Sequence, residues 1–228
     1  MSTYLVNNET AVQFISLAQT ETGAKSMLGD AEQFESVSGV TIVNANIALR
    51  ESTAKVAALA KDETRTEVAK HEAAMQLANR TISALEKAKG SIEARANFLA
   101  AEGQGEAEAY FAPLANRAAL DSEIRGWIKE EMKSPEGIAK VRKAAMSDVK
   151  IASVIHHSPD FLLGIESGLH TKMRFEITEK HLPNAYQKMT QSVELVGLLN
   201  RYEKTISKVR TSFYMPGIAA KASSRVEI

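Results

Sequence analysis

The chain has 228 residues, and its 28 basic side chains balance its 28 acidic ones, so no net field steers it onto nucleic acid or an anionic membrane. Cysteine is absent, which excludes disulfides, thiolate catalysis and cysteine-ligated zinc. Hydrophobic residues make up 44% and aromatic ones only 6%, a composition that favours helices packed closely through Ala, Leu, Ile, Val and Met over a β-sandwich.

From the N-terminus, Asn8 is a candidate cap for a short helix reaching about Thr20, with Glu9 complementing the helix dipole. Gly23, Gly29 and Gly39 punctuate the next stretch, in which residues 24–37 are expected to hold another helix. The β-branched run at 38–43 has no second strong strand to pair with and reads as the start of a long helix. Residues 40–101 lack proline, contain one glycine, Gly90, and are rich in strong helix formers, which predicts one long helix or a helix with one joint. Its second half carries a seam of Met75, Ala78, Ile82, Leu85, Lys89, Ile92, Ala96 and Leu99 at alternating steps of three and four. The first half has its own seam, Ile42, Ala45, Leu49, Val56 and Leu59, out of register with the second. The polar run Lys61-Asp-Glu-Thr-Arg-Thr-Glu67 lies between them, and there the helix must swing or change partners. Lys89 within the seam requires an open edge or a facing acid.

Gly103-Gln104-Gly105 reads as a turn or hinge, followed by helix to Pro113. Residues 114–133 place Leu120, Ile124, Trp127, Ile128 and Met132 on one helical face. Ser134-Pro135-Glu136 and Ser158-Pro159-Asp160 both carry a capping serine, a proline at the first helical position and an acid in the first turn. The first start is expected to run to about His156 through Ile138, Val141, Ala145, Val149 and Ile151. Phe161-Leu162-Leu163-Gly164 is short and apolar, and Leu182-Pro183-Asn184 breaks the chain again. The last helix, 184–213, is read as carrying Tyr186, Met189, Val193, Val196, Leu199, Tyr202, Ile206, Val209 and Phe213 on one stripe. Lys204, Lys208 and Arg210 near its end suit the macrodipole. The tail 216–228 has little with which to fold alone and is expected to lie extended against a partner.

The fold class that follows is all-α: a long helix or helical hairpin, then a cluster of shorter amphipathic helices. Three segments are expected, 1–103 with the long helix, 104–215 as a C-terminal helical lobe, and 216–228 as the tail.

Chemical motifs are sparse. Gly23-Ala24-Lys25-Ser26 echoes a phosphate loop, but Ala24 stands where that loop needs a second glycine. His156, His157, Asp160 and His170 are metal-compatible residue types. Adjacent helical histidines diverge by about 100°, however, and the spacing to His170 matches no zinc pattern, so they read as exposed or capping residues. Glu130-Glu131 and Glu106 with Glu108 read as solvated faces. Lys140, Arg142, Lys143 and Lys150 form a small basic patch near Trp127. No hydrolase, zinc-protease or dinucleotide fingerprint is present, and neither a catalytic centre nor a cofactor is expected. The opening residues lack a secretory signal's basic region and apolar core, and no window approaches the roughly eighteen apolar residues of a membrane span. Synthesis in the cytosol, with residence there or in a particle assembled there, is expected.

The apolar stripes either close within one chain or meet other proteins. The residues expected to make contacts are Met75, Ile82, Leu85, Ile92, Leu99, Met189, Val193, Val196, Tyr202, Pro216 and Ile218. Intrachain packing of the seam against the last helix is favoured, with Ala78 and Ala96 allowing close approach.

The segment Ile155-His-His-Ser-Pro-Asp-Phe-Leu-Leu-Gly-Ile-Glu-Ser-Gly-Leu169, continuing to His181-Leu182-Pro183 and a closing amphipathic helix, resembles helical bacteriophage virion proteins. The front, such as Ala84-Leu-Glu-Lys-Ala-Lys-Gly90, is similar in texture to phage internal or ejection proteins. The resemblance covers about a quarter of the chain and implies a structural part of a particle, whose partners are copies of itself and other virion or assembly proteins. The rival expectations are a helical adaptor that meets nucleic acid or a membrane surface through the patch from Lys140 to Lys150, and a metal-dependent hydrolase using the histidines near Ser158.

Overall fold

The computed structural model describes residues 4–224, and these are helical, with no strand among them. In chain order the α-helices are α1 (Glu9–Ala18), α2 (Glu21–Leu28), α3 (Ser36–Lys61), α4 (Glu67–Tyr110), α5 (Ala118–Glu131), α6 (Pro135–Ser147), α7 (Val149–His157), α8 (Asp160–Leu163), α9 (Ser167–His181), α10 (Pro183–Ser212) and α11 (Pro216–Ala219). The fold is all-α, with a 44-residue helix followed by shorter ones. The described residues divide into two compact units, one of residues 4–96 with 194–224, the other of residues 97–193.

In the first unit, Asn8 caps α1 by accepting the Ala11 N–H at 2.8 Å, as its sequence predicts. The helix expected over 24–37 is replaced by α2, a 3-10 turn at Ala31–Gln33, and the start of α3. Local side chains explain the change. Thr20 caps α2 through the Gly23 N–H, Gly29 ends it at φ +111°, and the Glu35 carboxylate accepts the N–H groups of Val37 and Ser38, both at 2.9 Å. The joint in the long helix falls at residues 62–66, where the two seams lose phase. There the Asp62 carboxylate accepts from the backbone and hydroxyl of Thr64, competing with helical bonding.

Ile42, Ala45, Leu49 and Val56 of α3 and Ala78, Leu85, Ile92 and Ala96 of α4 are buried, together with Phe14 and Ile15 of α1. Lys89 meets Glu203 of α10, the facing acid its place in the seam requires. Arg201 donates to the Lys25 carbonyl at 2.9 Å, and the His71 Nδ1 accepts the Met215 N–H at 3.0 Å, which fastens the segment after α10. The tail expected to be extended begins as one helical turn, α11, and a 3-10 turn over Ala220–Ser224, while its residues 225–228 lie outside the described chain.

In the second unit, α5, α6, α7 and α9 pack around Ile128, Val141, Ala145, Ala152, Val154, Ile155, Met173 and Ile177, with Ala107 and Phe111 of α4 in the same core. The turn expected at Gly103-Gln104-Gly105 is absent, because α4 continues unbroken through both glycines. Gly103 is there for contact: a Cβ at this position would stand 2.8 Å from the Ala185 carbonyl oxygen and 2.8 Å from Met189 Cγ. Lys188 bridges Glu102 and Glu106 on either side of it, which offsets the low helix propensity.

Ser134 caps α6 through the Gly137 N–H at 3.1 Å, as expected. That helix does not reach His156. Asp148 adopts extended backbone, ends α6 and caps α7 by accepting the Lys150 N–H at 2.7 Å. The second Ser-Pro start differs as well, because Pro159 takes the cap position of α8 and the Ser158 hydroxyl makes no capping bond. Residues 114–117 form a 3-10 turn and its flank, so α5 begins at Ala118, and Leu120 on it is exposed. Gly164 closes α8 in the left-handed region at φ +65°, and Glu166 then caps α9, a helix the sequence reading did not separate out.

The apolar stripe of α10 is also corrected. Its buried face carries Ala185, Leu195, Leu198, Tyr202, Val209 and Phe213, whereas Val193 is 68% and Val196 50% exposed. From Met189 a step of three to Ser192 stays on this face and the step of four to Val193 leads off it, while the steps of three and four through Leu195, Leu198 and Tyr202 remain on it.

Candidate functional site

A concavity lies in the second unit, where the end of α4, the α7–α8 turn and α9 come together. One cleft of about 530 Å³ is lined by Glu108, His156, His157, Ser158, Asp160, His170 and Arg174, with Ala112, Pro113 and Pro159. A second, of about 360 Å³, shares Glu108, His156 and Arg174 and adds Gln104, Thr171, Phe175, Thr178 and Met189. Helix α9 supplies much of this wall because His170, Thr171, Arg174, Phe175 and Thr178 recur at steps of one and three or four.

His156 is buried rather than exposed, and its ring stacks on Phe111. Burial, then the neighbouring charges of Arg174, His157 and His170, push its pKa down to about 4, so it is neutral at pH 7. His170 is also buried and donates from Nε2 to the Ile155 carbonyl at 2.8 Å. The pairing fixes its tautomer, since a carbonyl oxygen only accepts. His181 sets its Nε2 2.8 Å from the Ala145 carbonyl. Asp160 accepts from the Ser167 hydroxyl and the Phe161 N–H, which hold its carboxyl below the usual range. The Ser158 hydroxyl is buried and has no hydrogen-bond partner among the described residues.

The sequence-predicted group of His156, His157, Asp160 and His170 is thus brought to one cleft, but as separate polar anchors. Among the described residues no three His, Asp or Glu side chains converge to hold a metal ion. Arg174 was not singled out, and Ser158 was read only as a helix cap. The four-residue step from His170 to Arg174 on a helix was the available signal.

The basic patch is partly neutralised by its surroundings. Lys140 pairs with Glu131 and stands 5.9 Å from the Trp127 ring centroid, and Arg142 pairs with Glu176.

Of the residues expected to make contacts, Ile82, Leu85, Ile92, Leu99 and Tyr202 are buried within the chain, and Met75, Met189 and Ile218 are half-buried. Val193, Val196 and Pro216 are exposed. The sequence reading missed a further apolar surface on α3, where Val37, Val40, Val43 and Ile47 are each between 43% and 61% exposed. They fall within about 120° of helix circumference, on a stretch, 36–49, that holds no charged residue.

Among the described residues no helix is long and apolar enough to cross a membrane. Compared with protein-family models, curated proteins and solved structures, the chain matches none of them.

Proposed function

We propose that the chain is a structural component that works through helix-mediated contacts with other proteins in a larger assembly, a bacteriophage virion being the particle its sequence resemblance favours. The observation that carries this reading is the valine-rich stripe of α3. Four large β-branched side chains stand in water side by side on a helix whose opposite face is already buried in the core. Covering each half-exposed side chain contributes on the order of 1 kcal/mol, so a contiguous stripe favours association where scattered apolar residues do not. The absence of charge over residues 36–49 removes the repulsion and desolvation cost that would oppose such a contact.

Sedimentation velocity over a range of protein concentration tests the proposal, with Val40→Asp as the comparison. The wild type is expected to associate, alone or with a co-expressed particle protein, and V40D to remain monomeric with unchanged helicity. A wild-type chain that stays monomeric and is absent from particles made in its presence would contradict the assembly role.

A further inference from the structure

Arg174 sits partly buried in the wall common to the two clefts, and its guanidinium makes no ion pair with a described carboxylate. An arginine so placed has lost part of its hydration without gaining a partner, and its planar fork matches the two oxygens of a carboxylate or phosphate. Ser158, only 4% exposed, lines the same cleft, and its hydroxyl has neither donor nor acceptor partner among the described residues. A buried hydroxyl left unpaired costs free energy that a ligand within reach would recover.

We propose that this cleft is an oxyanion site that takes the phosphate group of a small ligand, with Arg174 as the charge partner and Ser158 and His170 as hydrogen-bonding groups. His170 has its Nε2–H committed to the Ile155 carbonyl, which leaves Nδ1 as an acceptor for the P–O–H of a singly protonated phosphate group. His156 records the local field: beyond burial, the largest cause of its lowered pKa is the neighbouring Arg174 guanidinium. Two carboxylates also line the cleft, and neither cancels this field. Asp160 is held by the Ser167 hydroxyl and the Phe161 N–H, and Glu108 is exposed on α4 and free to turn toward water. The cleft is larger than a phosphate needs, and the adjoining one offers Phe175 and Met189 as an apolar wall, so a phosphomonoester fits as well as the free ion.

The test is a titration of the full chain at pH 7 with sodium phosphate and, separately, glycerol phosphate, against sodium chloride at equal ionic strength. It is followed through the imidazole resonances of His156 and His170 and through the melting temperature. Saturable shifts and a raised melting temperature with either phosphate compound are expected, and the tighter of the two identifies the source. Arg174→Gln is expected to weaken binding about tenfold or more, and Ser158→Ala by a few fold, while Arg142→Gln, outside the cleft, leaves it unchanged. The titration of His156 supplies a second readout, since a bound anion raises its pKa above about 4. Equal effects of chloride and phosphate, or undiminished phosphate affinity in a folded R174Q or in S158A, would overturn the site.

Discussion

The ring of His156 lies on the ring of Phe111, with 4.7 Å between centroids and 27° between planes. Phe111 is buried at the end of α4, and His181 meets it edge-on at 6.1 Å. Its carbonyl accepts the Ser153 hydroxyl at 2.8 Å, so the last turn of a long helix is anchored by side chains from α7 and α9. A stacked, buried imidazole holds this arrangement only while it is neutral.

Acid is therefore expected to loosen the second unit. The folded pKa of His156, about 4, lies below its unfolded value of 6.5, so the unfolded chain binds the proton more readily. Stability is full above pH 6.5 and falls as the pH drops toward 4, by an amount on the order of 2 kcal/mol after allowing for solvent screening. Urea unfolding at pH 7 and pH 4.5 measures this, and His156→Phe is expected to show a smaller loss over the same interval. An equal loss in the variant would assign the effect to other groups.

Two glycines inside α4 are expected to respond in opposite ways to the same substitution. Gly103→Ala places a methyl 2.8 Å from a backbone carbonyl and is expected to destabilise the protein by about 1–3 kcal/mol. Gly90→Ala meets nothing within 4 Å and is expected to stabilise it by about 0.5–1 kcal/mol through helix propensity. Denaturant midpoints of the two variants decide the matter.

On α10, Leu195→Ala is expected to cost about 2–4 kcal/mol because its side chain is wholly buried. Val193→Ala, two residues away, is expected to change stability by less than about 0.5 kcal/mol. If the two losses are equal, the buried face of this helix has been assigned wrongly.

His71 gives a local prediction for the segment after α10. Its Nδ1 accepts the Met215 N–H, and burial lowers its pKa, so it too is neutral when folded. His71→Phe removes the acceptor. Amide exchange at Met215 is expected to accelerate while that of Leu195 is unchanged.

Much of this architecture was legible because it rests on local chemistry. Asn8 and Ser134 cap where their spacing places them, the phase slip between the seams marks the joint at 62–66, and Lys89 has the acid it needed. The failures share a cause. Gly103-Gln104-Gly105 looks like a turn until Ala185 and Met189 are known to press against Gly103. Asp148 sits in a run of good helix formers, and only its side-chain bond to the Lys150 N–H shows that the backbone breaks there. Val193 and Val196 were read on one stripe with Tyr202 because hydrophobicity was weighed above exact phase, whereas Leu195 and Leu198 share the buried face of Tyr202. The cleft was half visible. Its histidines stood out by type, whereas Arg174 and Ser158 gained meaning only from the partners they lack.

The first unit is discontinuous in the chain, and this orders events during synthesis. The pairs that close it are far apart in sequence: Lys89 with Glu203, His71 with Met215, Arg201 with Lys25. As the polypeptide leaves the ribosome, the uninterrupted stretch 97–193 is complete before Arg201, Glu203 and Met215, which close the first unit, have been translated. The middle of the gene product is thus positioned to mature first, while the earliest-made part waits for the closing segment from residue 194 onward.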